Sequence, residues 1–123
     1  MSKLVINKKQ GIYIMSLDDI VYMEKALRKI VVYSMDASIE FYGKFADIAQ
    51  YLDRRFMSCH RSYMINMDKI VVMAGNKIFF ENNEHISLGN DTYGRARRLL
   101  TEYLAEKRAE RTCEPSKKVK KSG

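Results

Sequence analysis

The sequence predicts a mostly β domain of small antiparallel sheets, with one short inserted helix and a C-terminal helix. Three observations carry that prediction. Most of residues 3–89 falls into short runs rich in β-branched and aromatic residues, separated by turn signals. Two segments, Gly43–Arg54 and Thr92–Arg111, show the spacing of amphipathic helices instead. The β runs are about five to seven residues long, which suits several small sheets better than one long one. A chain of 123 residues suits a single domain with a modest core.

The first strands are read at Lys3–Asn7 and Gly11–Ser16, and Ile20–Lys25 follows the turn Leu17-Asp18-Asp19. Lys29–Met35 and Ser38–Tyr42 flank Asp36-Ala37, a tight hairpin signal. Lys69–Met73, Lys77–Glu81 and His85–Leu88 alternate with Ala74-Gly75-Asn76 and Asn82-Asn83. Asn at such tips tolerates the left-handed conformation that two-residue hairpins need. In Gly43–Arg54, Phe45, Ile48, Ala49 and Leu52 share one face at i, i+3, i+4 and i+7, which predicts three helical turns. Thr92–Arg111 places Tyr93, Ala96, Leu100, Tyr103 and Leu104 on one side, with Asn90, Asp91 or Thr92 available as the cap. Residues 1–111 are therefore assigned to the domain. Residues 112–123, TCEPSKKVKKSG, are polar and basic and read as a disordered tail. Met15, Met23, Met64, Met67 and Met73 fall mainly in strands and read as core filler.

The net charge of +7 invites a polyanionic partner. Its distribution weakens that argument. Residues 1–91 hold 12 Lys/Arg against 11 Asp/Glu, residues 92–111 hold 6 against 3, and residues 112–123 hold 4 against 1. Most of the excess sits in the C-terminal fifth, so a specific site must be argued from charge placement within the body. Cys59 and Cys113 are too few for a disulfide framework and read as reduced thiols of a cytoplasmic protein. The start, MSKLVINKKQ, has no apolar signal-peptide region, and no run approaches the length of a membrane span.

The most informative stretch is Phe56–Met67, FMSCHRSYMINM. His60 and Arg61 stand just before an apolar run closed by Asn66. On an extended segment, neighbouring side chains point to opposite sides. At least one of His60 and Arg61 then faces solvent or a partner. Arginine reads guanine O6/N7 bidentately or clamps a phosphate, and His60 and Ser62 can donate to phosphates. The residues alone leave open a plainer reading, a half-buried histidine beside a surface charge.

Ile39–Gly43 (IEFYG), then a helix, then F-x-x-C-H-R-S-Y-x-I-N from Phe56 to Asn66, then a strand from Lys69-Ile70 and an Asn-bearing hairpin, together resemble the LytTR family. These are output domains of bacterial transcription regulators. The resemblance spans roughly residues 3–100 in element order, and Phe56–Asn66 is its most specific part. It implies small antiparallel sheets with a short helix. It also implies sequence-specific binding of duplex DNA by loops that enter successive major grooves and bend the DNA. Further implications are two copies on paired short repeats, hence self-association on DNA, and control of transcription. Such domains usually follow a receiver or membrane module. A chain of 123 residues leaves no room for one, so it is expected either to act alone or to be an excised piece.

The resemblance points to three contact loops. In the first, Glu24–Lys29, Arg28 falls where the family presents a base-reading side chain. Lys25 and Lys29 are phosphate candidates there, though either can equally be a solvated surface charge. In the second, Arg61 is the base reader, with His60 and Ser62 in support. The third, Gly89-Asn90-Asp91, departs from the family, because the basic residue common after the last strand is missing. Asp91 would repel phosphate unless it caps the helix and faces inward. Asn90 is left as an adenine reader, and Arg95 and Arg98 as substitute phosphate contacts. The plainer reading of Arg95, Arg97 and Arg98 is a solvated helix face, and it suits Arg97 best. Cys59, beside the His-Arg pair, is a candidate redox-sensitive thiol, against the plainer reading of a buried packing cysteine.

No catalytic constellation is visible. The chain has no Gly-rich phosphate loop, HExxH, CxxC or paired-carboxylate motif, and strand neighbours such as Cys59 and His60 diverge. The protein reads as non-enzymatic, with no cofactor, metal, small-molecule substrate or membrane insertion expected. Two other classes compete with duplex DNA binding. One is an RNA-binding β module whose Tyr and Phe stack on bases, although no RNP1-like run occurs. The other is a protein-interaction or membrane-surface role for the basic C-terminal helix.

Overall fold

Residues 2–112 are described by the computed structural model, and they form three antiparallel sheets. Strands β1 (Lys3–Lys8) and β2 (Gly11–Ser16) make a two-stranded hairpin in register Lys8↔Gly11. The largest sheet uses β3 (Ile20–Ala26), β4 (Lys29–Ser34), β5 (Ser38–Tyr42), β6 (Phe56–His60) and β7 (Tyr63–Asn66), in the order β5-β4-β3-β7-β6. The third sheet is the meander β8 (Ile70–Ala74), β9 (Lys77–Phe80) and β10 (His85–Ser87). Helix α1 covers Phe45–Ile48 and α2 covers Asn90–Thr112. The predicted fold class is thus the observed one. The basic stretch expected to be disordered lies, from residue 113 onward, outside the described residues.

The central strand β3 is covered on both faces, which explains its continuous apolar run Ile20–Met23, all buried. On one side, Ile20, Met23, Ile30 and Val32 pack with Leu4 and Ile6 of β1, Phe41 and Ile48. On the other, Val21, Tyr22, Cys59 and Ile65 pack with Ile78, Phe80 and Ile86 of the third sheet and with Ala96 and Tyr103 of α2. The methionines behave as filler: Met23 and Met67 are buried, while Met15, Met64 and Met73 pack against the two clusters.

Asn66 ties the layers together. Its side chain is fully buried, donates from Nδ2 to the carbonyls of Leu17 and Ile20 at 3.3 and 2.7 Å, and accepts from the Asp68 amide at 2.9 Å. It thereby joins the short 3-10 turn before β3 (Leu17–Asp19) to the one before β8 (Met67–Lys69). Each polar atom of the buried amide has a partner, so its burial carries no unsatisfied group.

Four expectations need correction. The predicted three-turn helix over Gly43–Arg54 is α1 followed by a 3-10 turn at Ala49–Tyr51. Leu52 is already extended, because Asp53 accepts locally from the amide and Nε of Arg55 and draws the chain into a turn. Phe56–Met67 is not one extended segment but the hairpin β6–β7, with Arg61-Ser62 at its tip. Leu104 is 51% exposed, since the buried stripe of α2 runs through Ala96, Leu99, Leu100 and Tyr103. Leu104 sits about 100° around the axis from Tyr103. Finally, α2 begins at Asn90, and the Gly89 carbonyl accepts from the Tyr93 amide, so none of Asn90, Asp91 and Thr92 stands before the helix as its cap.

Candidate nucleic-acid interface

Antiparallel pairing brings two tight turns to the same end of the five-stranded sheet. Ala26 pairs with Lys29, leaving Leu27-Arg28 as the β3–β4 turn. His60 pairs with Tyr63, leaving Arg61-Ser62 as the β6–β7 turn. Because β3 and β7 are neighbours, the turns meet: the Lys25 amide donates to the Ser62 carbonyl at 2.8 Å. Lys25, Leu27, Arg61 and Ser62 line one shallow depression of about 300 Å³. Arg28 and Arg61, separated by 33 positions in sequence, are thus carried on adjacent turns.

Both side chains are exposed, and among the described residues neither guanidinium has a hydrogen-bond or ion-pair partner. The other arginines before α2 behave differently. Arg54 reaches Glu106 at 3.6 Å and also bonds Glu110, and Arg55 reaches Asp18 at 2.6 Å and Asp53 at 3.0 Å. Those two fasten the α1–β6 connection to its neighbours, and the Arg55 guanidinium holds the Asp18 carboxyl below its ordinary range. Among the arginines before α2, the free pair is therefore the pair at the turns.

The supporting residues divide by what they already hold. His60 is half-buried against Tyr63, with ring centroids 5.8 Å apart, and its Nδ1 accepts from the Ser62 amide at 3.0 Å. That bond shapes the turn and leaves Nε2 to carry the proton in the neutral ring. Lys25 Nζ donates to the Leu27 carbonyl and so stiffens the first turn. Lys29 is tied to Glu40 at 2.8 Å and lies over the Tyr42 ring. The hydrogen bond and charge of Glu40 raise the Lys29 ammonium above its ordinary value, and Lys29 lowers the Glu40 carboxyl in return. The Gly43 amide donates to the Arg28 carbonyl at 3.0 Å, which anchors the turn from the β5 side.

The first turns of α2 join the same neighbourhood through Arg95, whose Nη1 donates to the Cys59 carbonyl at 3.1 Å. Asn90 is exposed, and its Oδ1 accepts from Asn76 Nδ2 of the β8–β9 turn at 2.6 Å. Asp91 is exposed rather than turned inward as a cap. Arg98 faces Glu102 one turn away at 4.0 Å, an exposed pair of small energetic weight. Cys59 has no exposed surface, and burial pushes its thiol up. The aromatic side chains of the strands stack on one another: Tyr22 lies 4.6 Å from Tyr33 and 4.9 Å from Phe80 between centroids. An open stacking platform for unpaired bases is not what this cluster offers.

Leu27 lies within the first contact loop, but its side chain carries no polar group to mark it as a site residue. It is 93% exposed and holds φ +59° at the tip of the first turn. Leucine is no turn signal, so only the charged interruption Glu24–Lys29 between two apolar runs marked the place.

Comparison with known proteins agrees with this architecture. The chain matches the family model of the LytTr DNA-binding domain over residues 10–101. Accessory gene regulator protein A of Staphylococcus aureus (strain N315) is 32% identical over 72 residues, which cover 55% of this chain and 30% of that protein. The protein of the same name from Staphylococcus epidermidis is 33% identical over 72 residues, again covering 30% of that protein. The match thus spans less than a third of the length of these regulators. Among solved structures, a LytTr DNA-binding domain from Bacillus cereus superposes with a TM-score of 0.64 at 18% identity, covering 82% of this chain and 97% of that one. At that identity the likeness is one of fold.

Proposed function

The chain belongs to the LytTr DNA-binding domain family, and from that premise we propose that it reads duplex DNA with the turns Leu27-Arg28 and Arg61-Ser62 set into the major groove, so regulating bacterial transcription. The observation that carries this reading is the pair of unpartnered guanidinium groups, Arg28 and Arg61, on two turns joined by the Lys25–Ser62 backbone bond. Each can take the O6/N7 edge of a guanine without first breaking a bond to the protein. Lys25, Lys29, His60, Ser62, Arg95 and Arg98 are assigned to phosphates or to support of the turns. For Lys29 and Arg98 a phosphate must displace Glu40 and Glu102. Asn90 is assigned to adenine, with its Nδ2 and the second lone pair of its Oδ1 left beside the Asn76 bond. Two copies on paired short repeats, acting in the cytoplasm, complete the proposal. Cys59 lies directly under the second turn, so its oxidation would disturb that turn if the core opened.

Selection of preferred duplexes from random DNA tests this. The expected outcome is a pair of short repeats about one helical turn apart. Arg61→Ala should then weaken the selected site by roughly 5- to 150-fold, with much less effect on random duplex. Lys25→Ala should weaken both, flatten the salt dependence by about 0.9 per phosphate released, and cost the selected site somewhat more because the bond to the Leu27 carbonyl is lost. A chain that enriches no motif, or whose preference survives the loss of both Arg28 and Arg61, does not read DNA in this way.

A further inference from the structure

We propose that Leu27 is a third reader at this surface, recognising the C5-methyl group of a thymine next to the base taken by Arg28. The inference rests on the duplex-binding reading above and assigns a specificity to a residue which that reading leaves unused.

Among the described residues, three other than glycine hold a positive φ: Leu27, Asn76 and Asn83. Asn76 and Asn83 use the side chain best suited to that region, as expected at hairpin tips. Leu27 does not. A branched apolar side chain at φ +59° is strained, and Asn or Gly would relieve the strain without changing the turn. The same side chain is 93% exposed, so no burial offsets the strain within the chain itself. A single exposed leucine is ordinary, and so is a single strained residue. Their coincidence at the tip of a turn that is fastened on three sides is not. The Lys25 Nζ bond to the Leu27 carbonyl, the Lys25–Ser62 backbone bond and the Gly43–Arg28 bond hold the backbone so that the isobutyl group projects beyond it.

The ligand follows from chemistry. Leu27 has no donor or acceptor to offer beyond its backbone, and it shares its depression with Arg61 and borders Arg28 in sequence. In the major groove the apolar feature of a base edge is the thymine methyl group, and an aliphatic side chain is its complement. Two arginines reading guanines with a leucine between them give a mixed pattern, polar edges flanking a methyl group.

The experiment uses the duplex obtained by selection, with each thymidine replaced in turn by deoxyuridine, which removes only the methyl group. Binding is measured for the intact chain and for Leu27→Asn, Leu27→Gly, Arg28→Ala and Arg61→Ala. One position should cost the intact chain about fourfold in affinity, the value of one buried methyl group. The same replacement should cost Leu27→Asn and Leu27→Gly nothing, while both arginine variants keep the fourfold response. The two Leu27 variants should melt no lower than the intact chain, which separates a lost contact from a lost fold. A selected site without thymine, or a deoxyuridine response unchanged by Leu27 substitution, overturns the assignment while leaving the arginine reading intact. A DNA bend that disappears with Leu27 without any methyl response makes Leu27 a wedge and also overturns it. If no site is selected at all, the arginine reading and this one fall together.

Discussion

The amide of Lys25 donates to the carbonyl of Ser62 at 2.8 Å, and this bond sets the spacing between the two turns that carry Arg28 and Arg61. It is a main-chain bond at the end of the β3–β7 ladder, so it follows from strand register and not from the identity of either side chain. The spacing of the two turns is thereby a property of the fold. Lengthening one turn should break the spacing while leaving the sheet intact. A glycine inserted between Arg61 and Ser62 gives up the His60 Nδ1–Ser62 bond and is expected to cost about 1 kcal/mol, leaving the domain folded. Affinity for the selected site should drop as far as it does in Arg61→Ala, roughly 5- to 150-fold, with random-duplex affinity retained. Retention of full specificity by the insertion variant would mean that the two turns act independently.

Lys29 offers a gain-of-binding prediction. Its ammonium is held by Glu40 at 2.8 Å, so in the free protein the charge that would meet a phosphate is already neutralised. Glu40→Gln removes the competitor. Affinity for duplex of any sequence should rise at low salt, and the slope of log affinity against log salt should steepen by about 0.9 as Lys29 engages one more phosphate. The double variant Glu40→Gln, Lys29→Ala should return to the parent slope. An increase that persists in the double variant would be a general charge effect rather than release of Lys29.

The fold was readable wherever period and turn chemistry agreed. β2 and β5 fall on the predicted spans Gly11–Ser16 and Ser38–Tyr42, and the turn at Gly75-Asn76 has the positive φ values that its sequence announces. The two turns of the candidate site were less legible for a common reason. Neither Leu27-Arg28 nor Arg61-Ser62 contains Gly, Asn, Asp or Pro. The first is held by the Lys25 side chain and the second by His60 Nδ1, so tertiary and side-chain bonds replace turn propensity. The Phe45–Leu52 spacing misled for the opposite reason. Its apolar period is helical, but Asp53 and Arg55 bond locally and end the helix early. Placement of Arg28 beside Arg61 depends on the strand order β4-β3-β7-β6, which no local pattern encodes. What the motif Phe56–Asn66 supplied was the identity of the second turn. Its final residue, Asn66, belongs to the clasp between 3-10 turns rather than to the binding surface.

Cys59 should be slow to react. It has no exposed surface, and burial raises its thiol, so the thiolate needed for oxidation or alkylation is scarce in the folded protein. In a Cys113→Ser background, labelling by an aromatic disulfide reagent should be about a hundredfold or more slower than in urea, because it waits for local opening. A native rate close to the unfolded one would instead make Cys59 an accessible redox group beside the second turn.

The tyrosines predict an alkaline limit. The Tyr103 hydroxyl donates to Asp68 at 2.8 Å, where Lys107 also reaches Asp68 at 3.3 Å. Burial first, and then the bond and charge of Asp68, push the Tyr103 hydroxyl up to about 12 from its ordinary value of 10. Burial likewise raises Tyr22, Tyr33 and Tyr63. A raised folded-state value means that the unfolded chain gives up its proton first. The stabilisation is therefore whole below pH 10 and is lost as the pH rises through about 12. Urea midpoints should be nearly flat across neutral pH on this account and should fall steeply above pH 10. Tyr103→Phe should cost about 1 kcal/mol at neutral pH through the lost hydrogen bond. It should also make the alkaline fall shallower, since one of the groups that drives it is gone. An unchanged alkaline slope in Tyr103→Phe would assign the fall to the Tyr22, Tyr33 and Tyr63 cluster alone, and the α2–Asp68 contact would then carry no pH dependence.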